Sequence, residues 1–176
     1  TRELMAEARA RYGAELSGEI GRGSSSDTAV ITTLLRGDES DTDPSLVRNA
    51  LELLPRLQGA FSLVFMDEET LYAARDRFGF RPLVLGRLQA GWAVASETAA
   101  LDIVGATFVR EIEPGELLMI DADGVESHHF AAPTPAGCVF EYVYLARPDT
   151  KIAGRSVNAS RLEMGRQLAR EHPVSA

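Results

Sequence analysis

Between residues 60 and 95 the chain alternates short apolar runs with short polar breaks. Residues 60–66 form an apolar run of strand length. Phe61, Leu63 and Phe65 fall on one side of it and Ser62, Val64 and Met66 on the other. Both sets are largely apolar, so both faces of the sheet are expected to be covered. Asp67, Glu68 and Glu69 interrupt the run, and residues 71–74 resume it, which predicts a hairpin. Residues 83–85 and 92–95 predict a second hairpin, turning through Gly91. Between the two lies a loop, residues 75–82, with three arginines, an aspartate, two phenylalanines, a glycine and a proline.

Upstream the period changes from two to between three and four. Leu4, Ala8 and Tyr12 predict a helix over residues 1–12, with Thr1 as cap and Gly13 as stop. Residues 17–23 read as a loop. Val30, Ile31, Leu34 and Leu35 form an apolar stripe over residues 28–35, and residues 37–43 form an acidic connection. Asp43 and Pro44 are expected to open a helix whose buried face is Leu46, Val47, Ala50, Leu51 and Leu54. Pro55 and Gly59 end it.

Downstream, Ser96 is expected to cap a short helix over residues 97–104, which Gly105 stops. Strands are predicted at 108–112 and 117–120, on either side of a Glu113-Pro114-Gly115-Glu116 turn with the type II signature. A tight turn at 121–124 leads to a strand at 125–130. Residues 131–137 read as a linker and a boundary, 138–145 as a last apolar strand, and 156–171 as a helix. Leu162, Gly165, Leu168 and Ala169 are expected to form its inner face. Grouped helices and grouped strands, rather than strict alternation, predict an α+β fold with two sheets stacked between helices.

Composition narrows the function. A net charge of −8 with no cluster of lysines or arginines disfavours nucleic acid and acidic membranes as partners. No apolar run approaches the roughly 20 residues that span a bilayer. The charged start carries no signal-peptide pattern, and one cysteine, Cys138, excludes an internal disulfide framework. A reducing, cytoplasmic setting is therefore expected.

Four groups of residues are candidates for chemistry. Asp27 follows three serines at a helix start, where it can cap the helix or anchor a ligand's ammonium group. Arg75, Asp76, Gly79 and Arg81 can form an ion-pair network at strand ends or a loop that shapes a pocket. Cys138 stands alone, which fits a small buried hydrophobe better than a nucleophile or a metal ligand. His128 and His129 are adjacent on a strand and point to opposite faces, so they do not chelate together. Thr1 is read as the start of the numbering, not as a nucleophile.

Residues 74–83, Ala-Arg-Asp-Arg-Phe-Gly-Phe-Arg-Pro-Leu, followed by Ala95-Ser96-Glu97-Thr98, resemble class II glutamine amidotransferases. Asparagine synthetases carry a similar loop. Residues 138–149, Cys-Val-Phe-Glu-Tyr-Val-Tyr-Leu-Ala-Arg-Pro-Asp, with Gly154 and Val157, resemble the amidophosphoribosyltransferase branch more specifically. That resemblance implies a four-layer αββα glutaminase domain of the N-terminal-nucleophile hydrolase type. It places the C-terminal portion of that domain at residues 1–136. Residues 137–176 would then hold the junction and the first strand and helix of an α/β phosphoribosyltransferase domain.

The resemblance also implies a chemistry. A cysteine at the mature N-terminus, with its own α-amine as base, releases ammonia from glutamine. The ammonia then displaces pyrophosphate from 5-phosphoribosyl 1-pyrophosphate. The nucleophile and the Asn-Gly pair that holds the oxyanion match nothing in this sequence, so this chain by itself is expected to be an inactive internal fragment. Asp27 matches the residue that binds the glutamine α-ammonium. Arg75, Asp76, Gly79, Arg81 and Ser96 are expected to support the pocket. Glu141, Tyr142 and Tyr144 lie at the junction, where the aromatic rings could line an ammonia path. Cys138 matches one of four cysteines that hold an iron–sulfur cluster in one branch of the family. The resemblance further implies Mg2+ and a homo-oligomer for the full-length enzyme. The rival readings are an asparagine synthetase-like amidotransferase and a non-catalytic scaffold of the same fold.

Overall fold

The hairpin predicted at residues 60–74 is the start of a four-stranded sheet. A computed structural model of the chain describes residues 2–12, 27–36 and 45–173. It divides into two compact units, Thr1–Gly59 and Ala60–Ala176. Gly13, the loop at 17–23, the three serines before Asp27, the acidic connection at 37–43 and the cap at Thr1 lie outside the described residues.

The first unit is helical among the described residues: α1 (Arg2–Tyr12), α2 (Asp27–Arg36) and α3 (Leu46–Leu53), followed by a 3-10 turn at Leu54–Arg56. Leu4 and Ala8 of α1, Val30, Leu34 and Leu35 of α2, and Ala50, Leu53 and Leu54 are buried, as the apolar spacing requires. Asn49 Nδ2 donates to the Leu35 carbonyl at 3.1 Å, tying α3 to the end of α2. Arg56 and Glu7 form an ion pair that joins the 3-10 turn to α1. The cap of α3 is Ser45, not Asp43: its hydroxyl accepts from the Arg48 amide.

In the second unit β1 (Ser62–Met66) and β2 (Leu71–Arg75) pair antiparallel, with Asp67 closing the turn by accepting from the Glu69 and Thr70 amides. β3 (Val84–Leu88) and β4 (Gly91–Ala95) form the second hairpin. The short helix α4 (Thr98–Ile103) follows, then β5 (Thr107–Glu111), β6 (Glu116–Ile120) and β7 (Val125–His129). One sheet has the order β1-β2-β6-β7 and the other β4-β3-β5, both antiparallel throughout.

The Glu113–Glu116 turn therefore does not close a hairpin. It carries the chain from one sheet to the other. Gly115 has φ +79°, as a type II turn demands, and the Glu116 amide donates to the Glu113 carbonyl at 3.1 Å. The sheets pack face to face through Ala73, Leu118 and Ile120 on one side and Leu83, Leu85 and Ile112 on the other. Behind the three-stranded sheet, Val84, Leu101 and Ala106 bury α4. A side chain at Gly86 would strike Leu101, with 2.8 Å between Cβ and Cδ2, so the glycine admits that helix.

Four expectations are corrected here. Val64 and Met66 are 55% and 71% exposed, because β1 is an edge strand and none of its residues joins the inter-sheet cluster. The residue at the cap position of α4 is Glu97, and Ser96 makes no capping bond. Residues 139–145, within the predicted strand at 138–145, are helical and include a single π turn, Glu141–Leu145. A short apolar run does not by itself separate the two states. Here the turn is held by Arg161 of the final helix, which donates from Nε to the Tyr142 carbonyl and from Nη2 to that of Ala146, both at 2.7 Å. That final helix, α5 (Val157–Glu171), follows a small hairpin of β8 (Lys151–Ile152) and β9 (Arg155–Ser156). Its expected inner face is outward: Leu162 and Leu168 are 54% and 59% exposed, and Val157 is its buried residue.

Candidate functional site

The loop after β2 is built on two buried ionic side chains. Arg75 is 6% exposed and Asp76 1%. A buried charge is tolerated only when its hydrogen-bonding capacity is met. The Arg75 guanidinium donates from Nε to the Arg81 carbonyl at 2.9 Å and from Nη2 to the Gly79 carbonyl at 3.1 Å. Its Nη1 donates to the Ile112 carbonyl at 2.7 Å and meets Glu111 Oε2 at 3.3 Å. Asp76 accepts from the Phe61 amide at 3.2 Å and the Phe78 amide at 2.9 Å. Both side chains bind backbone groups, and Arg75 also meets the Glu111 carboxylate, so together they shape the loop.

Gly79 completes the loop with φ +59°, where a Cβ would lie 2.8 Å from Pro114 Cγ. Phe78 and Phe80 pack with ring centroids 5.1 Å apart. Residues 131–138 run along the loop as an extended strap. The Thr134 and Ala136 amides donate to the Arg77 and Phe78 carbonyls, both at 2.8 Å. Cys138 sits at the end of the strap, half-buried, with its amide on the Phe80 carbonyl at 3.4 Å.

Arg81 reaches across to Glu141, with Nη1 and Oε1 2.8 Å apart. The contact has ion-pair distance without hydrogen-bond alignment, and Glu141 is 4% exposed. Tyr142 donates its hydroxyl to the Ile152 carbonyl at 2.8 Å, whereas Tyr144 is 80% exposed. Ser96 is exposed and makes no described side-chain bond. The two residues after it do the binding: Glu97 Oε2 accepts from Thr150 Oγ1 and Thr98 Oγ1 accepts from the Lys151 amide, both at 3.0 Å.

Asp27 belongs to the other unit. It is the first residue of α2 and is exposed, so its carboxylate is open to solvent, beside the positive end of the helix dipole. His128 and His129 face different glutamates, Glu126 and Glu113. Among the described residues no group of three or more His, Cys, Asp or Glu is arranged to hold a metal ion.

Glutamine amidotransferase domain is the description of the family model that matches residues 7–103, more than half of the chain. The chain belongs to the glutamine amidotransferase domain family. Within that family, a Mycobacterium tuberculosis protein named amidophosphoribosyltransferase is 62% identical over 169 residues, which is 96% of this chain and 32% of that protein. A chloroplastic amidophosphoribosyltransferase of Glycine max is 46% identical over 151 residues, 85% of this chain and 26% of its own length. The solved glutamine phosphoribosylpyrophosphate amidotransferase of Bacillus subtilis, complexed with ADP and GMP, superposes with a TM-score of 0.80 at 36% identity. That match covers 94% of this chain and 37% of that one. The chain spans about a third of the length of the curated relatives it matches. The α+β class with antiparallel sheets is shared with these glutaminase-type relatives.

Sequence reasoning assigned no bonds to Glu97, Thr98, Glu111 and the Arg110–Glu116 pair. A signal was present. Glu116 opens an apolar run and Glu141 interrupts one, and an acid expected in a core implies a buried partner.

Proposed function

We propose that this chain is part of an amidophosphoribosyltransferase that uses glutamine as its nitrogen source. The observation that carries this reading is the 62% identity over nearly the whole chain with proteins of that name. In the proposed reaction glutamine is hydrolysed to glutamate and ammonia. The ammonia nitrogen then bonds to the anomeric carbon of 5-phosphoribosyl 1-pyrophosphate, pyrophosphate leaves, and 5-phosphoribosylamine forms.

Asp27 is assigned to the glutamine α-ammonium. A carboxylate suits that role because a charge-assisted bond favours the free amino acid over a peptide. Arg75, Asp76 and Gly79 hold the loop at 75–82, which is assigned a supporting role in glutamine use together with Ser96, and Arg81 ties that loop to Glu141. The glutaminase portion is taken to end near residue 136, with the transferase portion beginning at 137. Cys138 offers one thiolate, and an iron–sulfur cluster takes four. The described residues of this chain therefore do not fit a cluster by themselves, and no step is routed through one. Mg2+, a homo-oligomer and a cytoplasmic location belong to the same proposal for the intact enzyme.

The test is to assay the intact enzyme for pyrophosphate release from 5-phosphoribosyl 1-pyrophosphate with glutamine or ammonium as nitrogen donor. Activity with both, without ATP, is expected. A requirement for ATP and aspartate would instead support the asparagine synthetase reading.

A further inference from the structure

Glu111 uses both carboxylate oxygens on two different parts of the second unit. Oε2 meets Arg75 Nη1 at 3.3 Å, and Oε1 accepts from the Ala153 amide at 2.5 Å. Arg75 in turn holds the Gly79 and Arg81 carbonyls. Ala153 is the non-glycine residue with positive φ among the described residues, at 49°, in the turn between β8 and β9. An L-residue adopts that conformation at a cost, so its turn persists only when neighbours hold it. Glu111 supplies one such hold.

Other contacts also join these regions, but less directly. Glu97 and Thr98 bind Thr150 and Lys151 without touching the loop at 75–82. Arg81 does touch it, yet its side chain is 49% exposed and its contact with Glu141 lacks hydrogen-bond alignment. A half-exposed ion pair is weak. Glu111, with its side chain 25% exposed, bonds on one side to a nearly buried guanidinium and on the other to a backbone amide.

We infer that Glu111 is a positioning residue that fixes the loop at 75–82 and the turn at 151–156 in one arrangement. A displacement of the turn then reaches the loop through two side chains, Glu111 and Arg75. The catalytic consequence rests on the proposed function: glutamine hydrolysis and ammonia use stay matched because the loop at 75–82, assigned to support glutamine use, and the segment after the junction move together.

The experiment uses the intact enzyme with Glu111→Ala and Glu111→Gln, read by hydrogen exchange and by product ratio. Glu111→Ala is expected to speed amide exchange at least about threefold both in 77–82 and in 151–156. Glu111→Gln keeps an acceptor for the Ala153 amide and loses the charge that faces Arg75. It is expected to speed exchange in 77–82 and to leave 151–156 near the wild-type rate. The glutamate formed per pyrophosphate released is expected to rise in Glu111→Ala while ammonium-dependent activity is retained. Faster exchange confined to 151–156 in both variants, unchanged exchange, or an unchanged product ratio would each overturn the inference. If the wild-type enzyme shows no glutamine-dependent transfer, the proposed function fails, and the exchange data still decide the physical link.

Discussion

Arg110 and Glu116 face each other across the turn that joins the two sheets, with two parallel bonds: Nη1 to Oε2 at 2.8 Å and Nη2 to Oε1 at 2.6 Å. Glu116 is 1% exposed and also accepts from Ser127 Oγ and the Glu113 amide, both at 2.6 Å. Burial alone would raise its pKa. The bonds from Arg110, Ser127 and the Glu113 amide outweigh that and hold the carboxyl below the usual glutamate range.

The sign of the pH dependence follows. A carboxyl whose folded pKa lies below its unfolded value contributes stability above the unfolded value, and loses it as pH falls through the folded one. Denaturant melts of the chain from neutral pH downward should show an acid limb that Glu116→Gln flattens. At neutral pH the same variant should be less stable by about 2 kcal/mol, because the Arg110 guanidinium loses its charge partner. An acid limb unchanged in Glu116→Gln would assign it to other carboxyls.

Gly79→Ala should destabilise the chain by about 2 kcal/mol or more. The left-handed φ costs an alanine about 1 kcal/mol, and its Cβ meets Pro114 Cγ at 2.8 Å. Gly165→Ala is the control. It lies inside α5 with nothing within 4 Å of the added Cβ, and should stabilise by up to about 1 kcal/mol. Urea midpoints of the two variants should move in opposite directions.

Arg75→Lys keeps the charge and should still cost about 2 kcal/mol. A single ammonium cannot reach the Arg81, Gly79 and Ile112 carbonyls that the planar guanidinium spans. Thermal unfolding checks this, and a midpoint equal to the wild type would contradict the staple assigned to Arg75.

The hairpins and the α+β class were legible because strand alternation and turn chemistry are local. Asp67 and the Pro114-Gly115 turn announce themselves within four residues. The network at Arg75 and Asp76 was legible as one of two readings, because charged residues at strand ends that enter a core must find partners close by. What was missed is non-local. Residues 138–145 read as a strand because their apolar run lacks a period, and the π turn depends on Arg161 in another element. Ser96 was named for its place in a motif, whereas the bonds belong to Glu97 and Thr98, whose partners lie about fifty residues downstream. The apolar residues of α5 follow helical spacing, but spacing does not say that a partner surface exists within the described residues.

The central claim is that Asp27, exposed at the start of α2, grips the glutamine α-ammonium. The most direct measurement is steady-state kinetics of Asp27→Asn in the intact enzyme with each nitrogen donor. The expected result is a fall of about a hundredfold in kcat/KM for glutamine, roughly 3 kcal/mol, with ammonium-dependent activity unchanged. An equal loss with both donors, or glutamine use as good as in the wild type, would contradict it.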